Sequence, residues 1–100
     1  MVRFLLKDDK LLAALSGEID HHSSKLMREK IDMSIREHTP SQLILDFENV
    51  TFMDSSGVGL VIGRYKLIHD LNGKVIIRNA SEQTKKILRM SGIESLASIQ

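Results

Sequence analysis

Gln42-Leu43-Ile44-Leu45-Asp46-Phe47 is the stretch that decides the fold, because it is short and mostly apolar. Such a run is typical of a strand covered on both faces, as in a parallel sheet. A helix precedes it, because Asp20 to Ser24 offers side-chain acceptors to the first helical N–H groups. Thr39-Pro40 stops that helix, since a residue before proline avoids the α region. The residues predicted to form its apolar face are Leu26, Met27, Ile31 and Ile35.

Strand and helix patterns alternate on both sides of this unit. Residues 2–6 and 11–15 are apolar runs separated by Lys7-Asp8-Asp9, which predicts a hairpin with a charged turn. Three further elements follow the central run: a helix from Ser56 to Leu71, a strand from Lys74 to Arg78, and a helix between Ser81 and Gly92. The buried stripe predicted for the second helix is Val58, Val61, Ile62, Tyr65 and Ile68.

The order β-β-α-β-α-β-α predicts an α/β fold, a small mixed sheet of about four to five strands with helices packed on it. With 100 residues, the chain is expected to form one domain over residues 1–100. Sites on open α/β sheets favour the loops at the carboxyl ends of the strands. Two such loops stand out, Gly17–Ser24 and Val50–Gly59.

Composition and charge exclude several classes of function. Cysteine is absent, which excludes a disulfide scaffold, a zinc–thiolate site and a cysteine nucleophile. Lys and Arg number 14 against 13 Asp and Glu, and the two signs are interleaved, so we expect no nucleic-acid partner. No apolar run approaches the ~20 residues of a membrane span, and the N-terminus lacks a signal-peptide core. A cytoplasmic protein without a membrane partner is therefore expected.

Neither the histidines nor the acids form a metal or catalytic pattern. The four histidines lack ligand spacing, so neither a metal nor another cofactor is predicted. Glu18 and Asp20 are expected to form a solvated edge or a helix cap, not an acid–base pair. Arg64 and Lys66 are expected on the exposed side of the second helix. The methionines expected in or near the core are Met27, Met33, Met53 and Met90.

Phe52-Met53-Asp54-Ser55-Ser56-Gly57-Val58-Gly59 carries the chemistry. Asp54, Ser55 or Ser56 can cap the second helix, and capping is the simplest interpretation. Because a helix N-terminus favours negative charge, a serine hydroxyl there also suits a phosphoryl acceptor. The glycines of this helix each cost about 1 kcal/mol against alanine, which indicates that a strand, a ligand or another protein approaches closely. Without a G-x-S-x-G elbow, a P-loop or a general base, a hydrolase or phosphotransferase is not expected.

The segment from Phe52 to Gly59 resembles the signature of the STAS-domain anti-anti-sigma factors. Ser16-Gly17-Glu18-Ile19-Asp20-His21-His22 is similar to the second motif of that family, usually Gly-Glu-(Leu/Ile)-Asp. Gly63-Arg64-Tyr65-Lys66 and Met90-Ser91-Gly92 match as well, so the resemblance extends over nearly the whole chain. The His-His pair and Gly-Arg-Tyr-Lys point to the members that act in sporulation.

The resemblance implies a protein-interaction switch that is not an enzyme. The unphosphorylated form would bind an anti-sigma factor that is also a serine kinase, with its ATP or ADP, and so release the sigma factor for transcription. The kinase would phosphorylate the second serine, Ser56, and inactivate the antagonist, and a serine phosphatase would restore it. The implied partner-binding residues are Asp20, His21, Ser23, Asp54, Ser55, Ser56, Gly57, Val58 and Gly59.

Two further expectations follow from the same resemblance. Family members usually continue into another C-terminal helix, whereas this chain stops at Gln100, so that helix is expected to be missing. An alternative function in the same fold is a STAS module that senses a small ligand, such as a nucleotide, near the same helix N-terminus. The helix dipole leaves room for this alternative, although the chain has no glycine-rich phosphate loop.

Overall fold

A computed structural model describes residues 1–100 as a single five-stranded sheet with helices. The elements are β1 Val2–Lys7, β2 Lys10–Ile19, α1 His21–His38, β3 Gln42–Met53, α2 Ser56–Asp70, β4 Lys74–Arg78, α3 Glu82–Met90, a 3₁₀ helix Ile93–Ser95 and β5 Ser98–Ile99. The strands lie side by side in chain order; β1 is antiparallel to β2, and the other neighbours are parallel. The predicted fold class and element order are confirmed, with the 3₁₀ helix and β5 added at the end.

The hydrophobic core lies on one face of the sheet. Alternate strand residues such as Ala13 and Leu45 are fully buried there, together with Ile31 of α1 and Leu60 of α2. From β2 to β5 the parallel strands are added to the sheet in chain order, always on the same side of the previous strand. Right-handed crossovers between them therefore place every helix on the same face of the sheet. The prediction that the central strand is covered on both faces is correct for side-chain burial, since Ile44 is only 8% exposed, but wrong for the helices, because Ile44 points to the face without them.

The two central strands extend further than their apolar runs indicate. Gly17 has a φ of +84° in the irregular part of β2, and beyond it Ile19 still pairs with Met53 of β3. Main-chain pairing between neighbouring strands overrides the polar side chains of these segments. The predicted loops Gly17–Ser24 and Val50–Gly59 are thus much shorter: single residue 20 joins β2 to α1, and residues 54–55 join β3 to α2.

Several predicted core residues lie on the surface. Leu26 is 57% exposed, because consecutive helical residues turn by about 100° and Met27 takes the buried position. Met33 and Met90 are also exposed, so the expectation that they fill the core is wrong, whereas Met27 and Met53 are buried. None of the helices combines the length and the apolar character needed to cross a membrane.

The buried stripe of α2 differs from the predicted one. Val58, Ile62 and Tyr65 are only half-buried. The buried residues of α2 follow a regular helical spacing and are Gly57, Leu60, Val61, Arg64 and Ile68. The expectation that Arg64 is exposed is therefore wrong, since this side chain lies in the contact between α1 and α2.

Arg64 is buried against an acidic partner on the neighbouring helix. Its Nη2 donates to Asp32 Oδ2 at 3.4 Å, and its Nε lies 2.7 Å from Asp32 Oδ1, although these two atoms are not aligned for a hydrogen bond. Nη1 is buried without a partner. Burial lowers the pKa of the Arg64 guanidinium, and the negative charge of Asp32 opposes that shift. The ion pair compensates a charge that would otherwise be costly to bury.

Candidate functional site

The carboxyl ends of β2 and β3 bring the two sequence motifs side by side. Ile19 is paired with Met53, and the Asp54 N–H donates to the Ile19 carbonyl oxygen at 3.0 Å. One residue separates β2 from α1, and two residues separate β3 from α2. The N-termini of α1 and α2 therefore lie at the same edge of the sheet, where one partner is able to contact both.

Asp20 caps α1 in a reciprocal arrangement with Ser23. Asp20 Oδ1 accepts from the Ser23 N–H at 2.8 Å, and Ser23 Oγ accepts from the Asp20 N–H at 3.0 Å. Ser23 Oγ also donates to the Glu18 carbonyl oxygen at 2.7 Å. The hydrogen bond from the Ser23 backbone is the main reason that the pKa of Asp20 lies below its ordinary value. Both side chains are thus engaged within the protein, and of the two alternatives predicted for Asp20, a solvated edge or a helix cap, the structure shows the cap.

Asp54 holds the start of α2. Its Oδ1 accepts from the Ser56 N–H at 2.7 Å, and its carbonyl oxygen accepts from the Gly57 N–H at 3.1 Å. Ser55 has helical backbone angles and makes no side-chain capping bond. Of the three residues that the sequence offered as caps, only Asp54 acts as one through its side chain, so the serine hydroxyls are not used to cap the helix.

Ser56 lies at the first position of α2 with a half-exposed side chain. Its hydroxyl forms no hydrogen bond with any other protein group, and the first turn of α2 contains no acidic residue. The backbone N–H groups of a helix N-terminus give this position a partial positive charge. Chemically, the arrangement presents a serine hydroxyl where an added anion is favoured by the helix.

The glycines of the first turn differ in their surroundings. Gly57 is buried because the Met53 side chain packs on it, and a Cβ at this position would collide with the Met53 thioether. Gly59 is exposed, and a Cβ there would meet nothing within 4 Å. The close approach expected at Gly57 is therefore explained by the neighbouring strand, whereas nothing inside the protein requires glycine at 59.

The remaining predicted site residues lie around these helix N-termini. His21 and His22 are exposed at the start of α1, and Val58 is half-buried on α2. No group of three or more His, Cys, Asp or Glu side chains is placed to hold a metal ion. None of the five main surface depressions is lined by a residue between 54 and 59. No such depression for a small ligand therefore adjoins Ser56.

One feature beside the site is absent from the sequence prediction. A depression of about 180 Å³ adjoins the α1 cap and is lined by His22, Ser23, Leu26 and Lys30, among others. Its floor is partly apolar because Leu26 points outward. Leu26 lies about 200° around the helix from Ser24, which is buried. This helical angle is the signal that would have placed Leu26 on the outer surface beside the cap.

Comparison with known proteins finds relatives that are named anti-sigma F factor antagonists. The anti-sigma F factor antagonist of Paenibacillus polymyxa is 39% identical over 83 residues, which cover 83% of this chain and 71% of that protein. The anti-sigma F factor antagonist of Lysinibacillus sphaericus is 38% identical over 85 residues, covering 85% of this chain and 73% of that protein. The chain thus spans between two thirds and three quarters of these relatives.

Solved structures agree with the sequence comparison. The unphosphorylated form of the anti-sigma factor antagonist SpoIIAA superposes with a TM-score of 0.85 at 32% identity, covering all of this chain and 88% of that one. The phosphorylated form of the Bacillus cell-fate determinant SpoIIAA gives a TM-score of 0.77 at the same identity, covering 91% of that chain. Residues 6–100 match the STAS domain. With this match over nearly all of its length, the chain belongs to the STAS-domain family.

Proposed function

We propose that this protein is an anti-sigma factor antagonist whose binding is switched by phosphorylation of Ser56. The observation that carries the proposal is the Ser56 hydroxyl, half-exposed at the start of α2 and not used for capping because Asp54 fills that role. The two relatives above are named as anti-sigma F factor antagonists, and SpoIIAA exists in unphosphorylated and phosphorylated forms. The partner is then an anti-sigma factor that is also a serine kinase, bound to ATP or ADP.

The proposed binding face combines the N-termini of α1 and α2. Asp20 and His21 lie on one helix start, and Ser56, Val58 and Gly59 lie on the other. Gly59 supports this face, because an exposed glycine without internal contacts allows a partner to approach the helix backbone closely. Gly57 is buried and acts in packing, so it is not part of the surface offered to the partner.

Phosphorylation would change the charge of this face without unfolding it. A phosphoserine carries roughly −1.5 to −2 charges, which the N-terminus of α2 tolerates. The neighbouring Asp54 carboxylate already accepts the Ser56 N–H, so the added dianion would lie beside a second negative charge. We infer that binding is lost through like-charge repulsion and the cost of removing the dianion from water. A serine phosphatase would restore the binding form.

The Ser56 hydroxyl is better suited to accept a phosphoryl group than to act as a nucleophile in catalysis. No histidine or carboxylate oxygen is hydrogen-bonded to it, and the nearest acid is engaged by the backbone N–H. We therefore propose that the chain is a binding protein. Its resemblance to the sporulation members supports a role in sporulation transcription, which takes place in the cytoplasm.

The test is phosphorylation followed by intact-mass analysis. The protein is incubated with ATP and the anti-sigma F factor that the Paenibacillus polymyxa relative antagonises. Wild type and Ser55→Ala are expected to gain one phosphoryl group, and Ser56→Ala none. Ser55→Ala is the matched control, because Ser55 also makes no capping bond and is exposed. Incorporation that survives Ser56→Ala and disappears in Ser55→Ala would move the acceptor to Ser55 and contradict the assignment.

A further inference from the structure

The face of the sheet opposite the helices carries an apolar row. The strand register aligns Leu5, Leu12, Ile44 and Ile76 across β1, β2, β3 and β4. Leu5 is 61% exposed, Leu12 and Ile76 are half-buried, and Ile44 is 8% exposed although no helix covers it. We call these four residues the open-face strip. Leu5, and to a lesser degree Leu12 and Ile76, leave apolar area on this face that a partner can remove from water.

Unpaired basic side chains flank the open-face strip on both sides. The row at the amino ends of β2, β3 and β4, called the lysine rim, consists of Lys7, Lys10, Gln42 and Lys74. The row on the other side of the strip consists of Arg3, Ala14, Asp46 and Arg78. None of these five cations belongs to a salt bridge, whereas Asp46 accepts from Asn79 Nδ2 and from the Glu48 N–H. The register thus gathers cations that are dispersed along the sequence.

The open-face strip is concave near β1. A depression of about 340 Å³ has Leu5, Leu12 and Ile44 on its apolar walls and is bordered by three cations, Lys7, Lys10 and Arg78, and one carboxylate, Asp8. A concave apolar floor receives side chains from a partner, whereas a planar bilayer surface does not fill it. Across four strands the strip is about 14 Å long. This length matches roughly three turns of an α-helix.

We propose that the open face binds an amphipathic helix of a partner protein that carries acidic side chains. Its apolar residues would occupy the open-face strip, and its Asp and Glu residues would face Lys7, Lys10 and Lys74. Charge complementarity selects this occupant over a second copy of the chain. In a face-to-face dimer of this chain with a twofold axis in the plane of the sheets, the lysine rim faces either the partner's lysine rim or its row with the two arginines. Both rows contain cations, so like charges repel. The surface is separate from Ser56, which lies at the carboxyl ends of the strands.

The test titrates two synthetic peptides into the methyl-labelled 100-residue chain and follows the methyl signals by NMR. One peptide is a helix with leucines on one face and glutamates on its flanks; the other has lysine in place of each glutamate. The glutamate peptide is expected to shift the methyl signals of Leu12, Ile44 and Ile76, and the lysine peptide to leave them unchanged. Equal shifts with both peptides, or none with the glutamate peptide, overturn the proposal.

Charge reversal on the lysine rim provides a second measurement. Lys10→Glu combined with Lys74→Glu is expected to weaken binding of the glutamate peptide by about tenfold or more. The matched control is Lys66→Glu combined with Lys86→Glu, the same change of net charge at exposed positions of α2 and α3. An equal loss in the control pair would mean that net charge alone decides binding, and the proposal would be wrong. Thermal unfolding verifies that both pairs remain folded.

Other occupants of this face give distinct results. A dimer in sedimentation equilibrium that dissociates in the Lys10→Glu, Lys74→Glu variant would identify a second copy as the occupant and overturn the proposal. Binding to phosphatidylglycerol vesicles without binding to the glutamate peptide would identify a lipid surface and overturn it as well. Ser56→Ala is expected to bind the peptide like wild type, so this proposal and the phosphorylation switch fail independently.

Discussion

At the scale of single residues, a substitution at Gly59 is expected to affect stability and partner binding in opposite directions. Gly59→Ala is expected to stabilise the free protein by about 0.5–1 kcal/mol, because alanine is the better helix former and its Cβ meets no other atom. The same substitution is expected to weaken binding to the anti-sigma factor by about tenfold, because Gly59 lies on the proposed binding face, where the added Cβ would keep the partner from the helix backbone. Urea unfolding and calorimetric titration measure the two effects.

The control for Gly59→Ala is Lys66→Ala, an exposed substitution two turns further along α2. It is expected to change neither stability nor binding by a significant amount. If Gly59→Ala stabilised the protein and left the affinity unchanged, Gly59 would lie outside the interface, and the proposed binding face would have to exclude the exposed side of α2.

The buried ion pair of Arg64 and Asp32 makes a second prediction at this scale. Asp32→Asn is expected to destabilise the protein by roughly 2–4 kcal/mol, because it leaves a buried guanidinium without a countercharge. Arg64→Met is expected to cost less, since it removes the buried charge and Asp32 keeps some contact with water. Urea unfolding of both variants measures the order, and a greater loss in Arg64→Met would contradict this account of the α1–α2 contact.

At the scale of elements, the cap of α1 couples stability to pH. Because the pKa of Asp20 is lowered in the folded state, its carboxylate stabilises the protein above its ordinary pKa. That contribution is lost as the pH falls from about 4 through the lower folded pKa. Asp20→Asn keeps a capping oxygen but does not titrate. On acidification, the free energy of unfolding of wild type is therefore expected to fall more than that of Asp20→Asn.

Urea unfolding between neutral pH and about pH 3 checks this coupling. The matched control is Asp70→Asn, which removes an exposed carboxylate that caps no helix. A difference between wild type and Asp20→Asn that stayed constant with pH would contradict the role assigned to the Asp20 carboxylate.

At the scale of the whole molecule, periodicity predicted the order of elements, and pairing decided where they end. The charged turn was correctly placed, and Asp8 and Asp9 both adopt positive φ there. The ends of β2 and β3 were missed, because the strands continue by pairing with each other through polar residues. The burial of Arg64 was missed for a related reason, since its partner Asp32 lies 32 residues away in the sequence.

The candidate site was predicted in part. The sequence placed Asp20 among several possible caps of α1 and Asp54 among three possible caps of α2, and short-range hydrogen bonds account for both. It did not show which glycine is required by packing, because Met53 reaches Gly57 only once β3 turns into α2. The basic open face was also hidden, since three strand pairings are needed to assemble it.

The most direct measurement compares the affinity of the unphosphorylated and Ser56-phosphorylated forms for the anti-sigma factor, with an amide NMR spectrum of each. The phosphorylated form is expected to bind at least about tenfold more weakly, because the dianion is repelled and costly to desolvate. Its spectrum is expected to keep the dispersion of a folded protein, with shifts confined to the starts of α1 and α2. Equal affinity of the two forms, or weak binding together with loss of the folded spectrum, would contradict a switch that acts through charge at the start of α2.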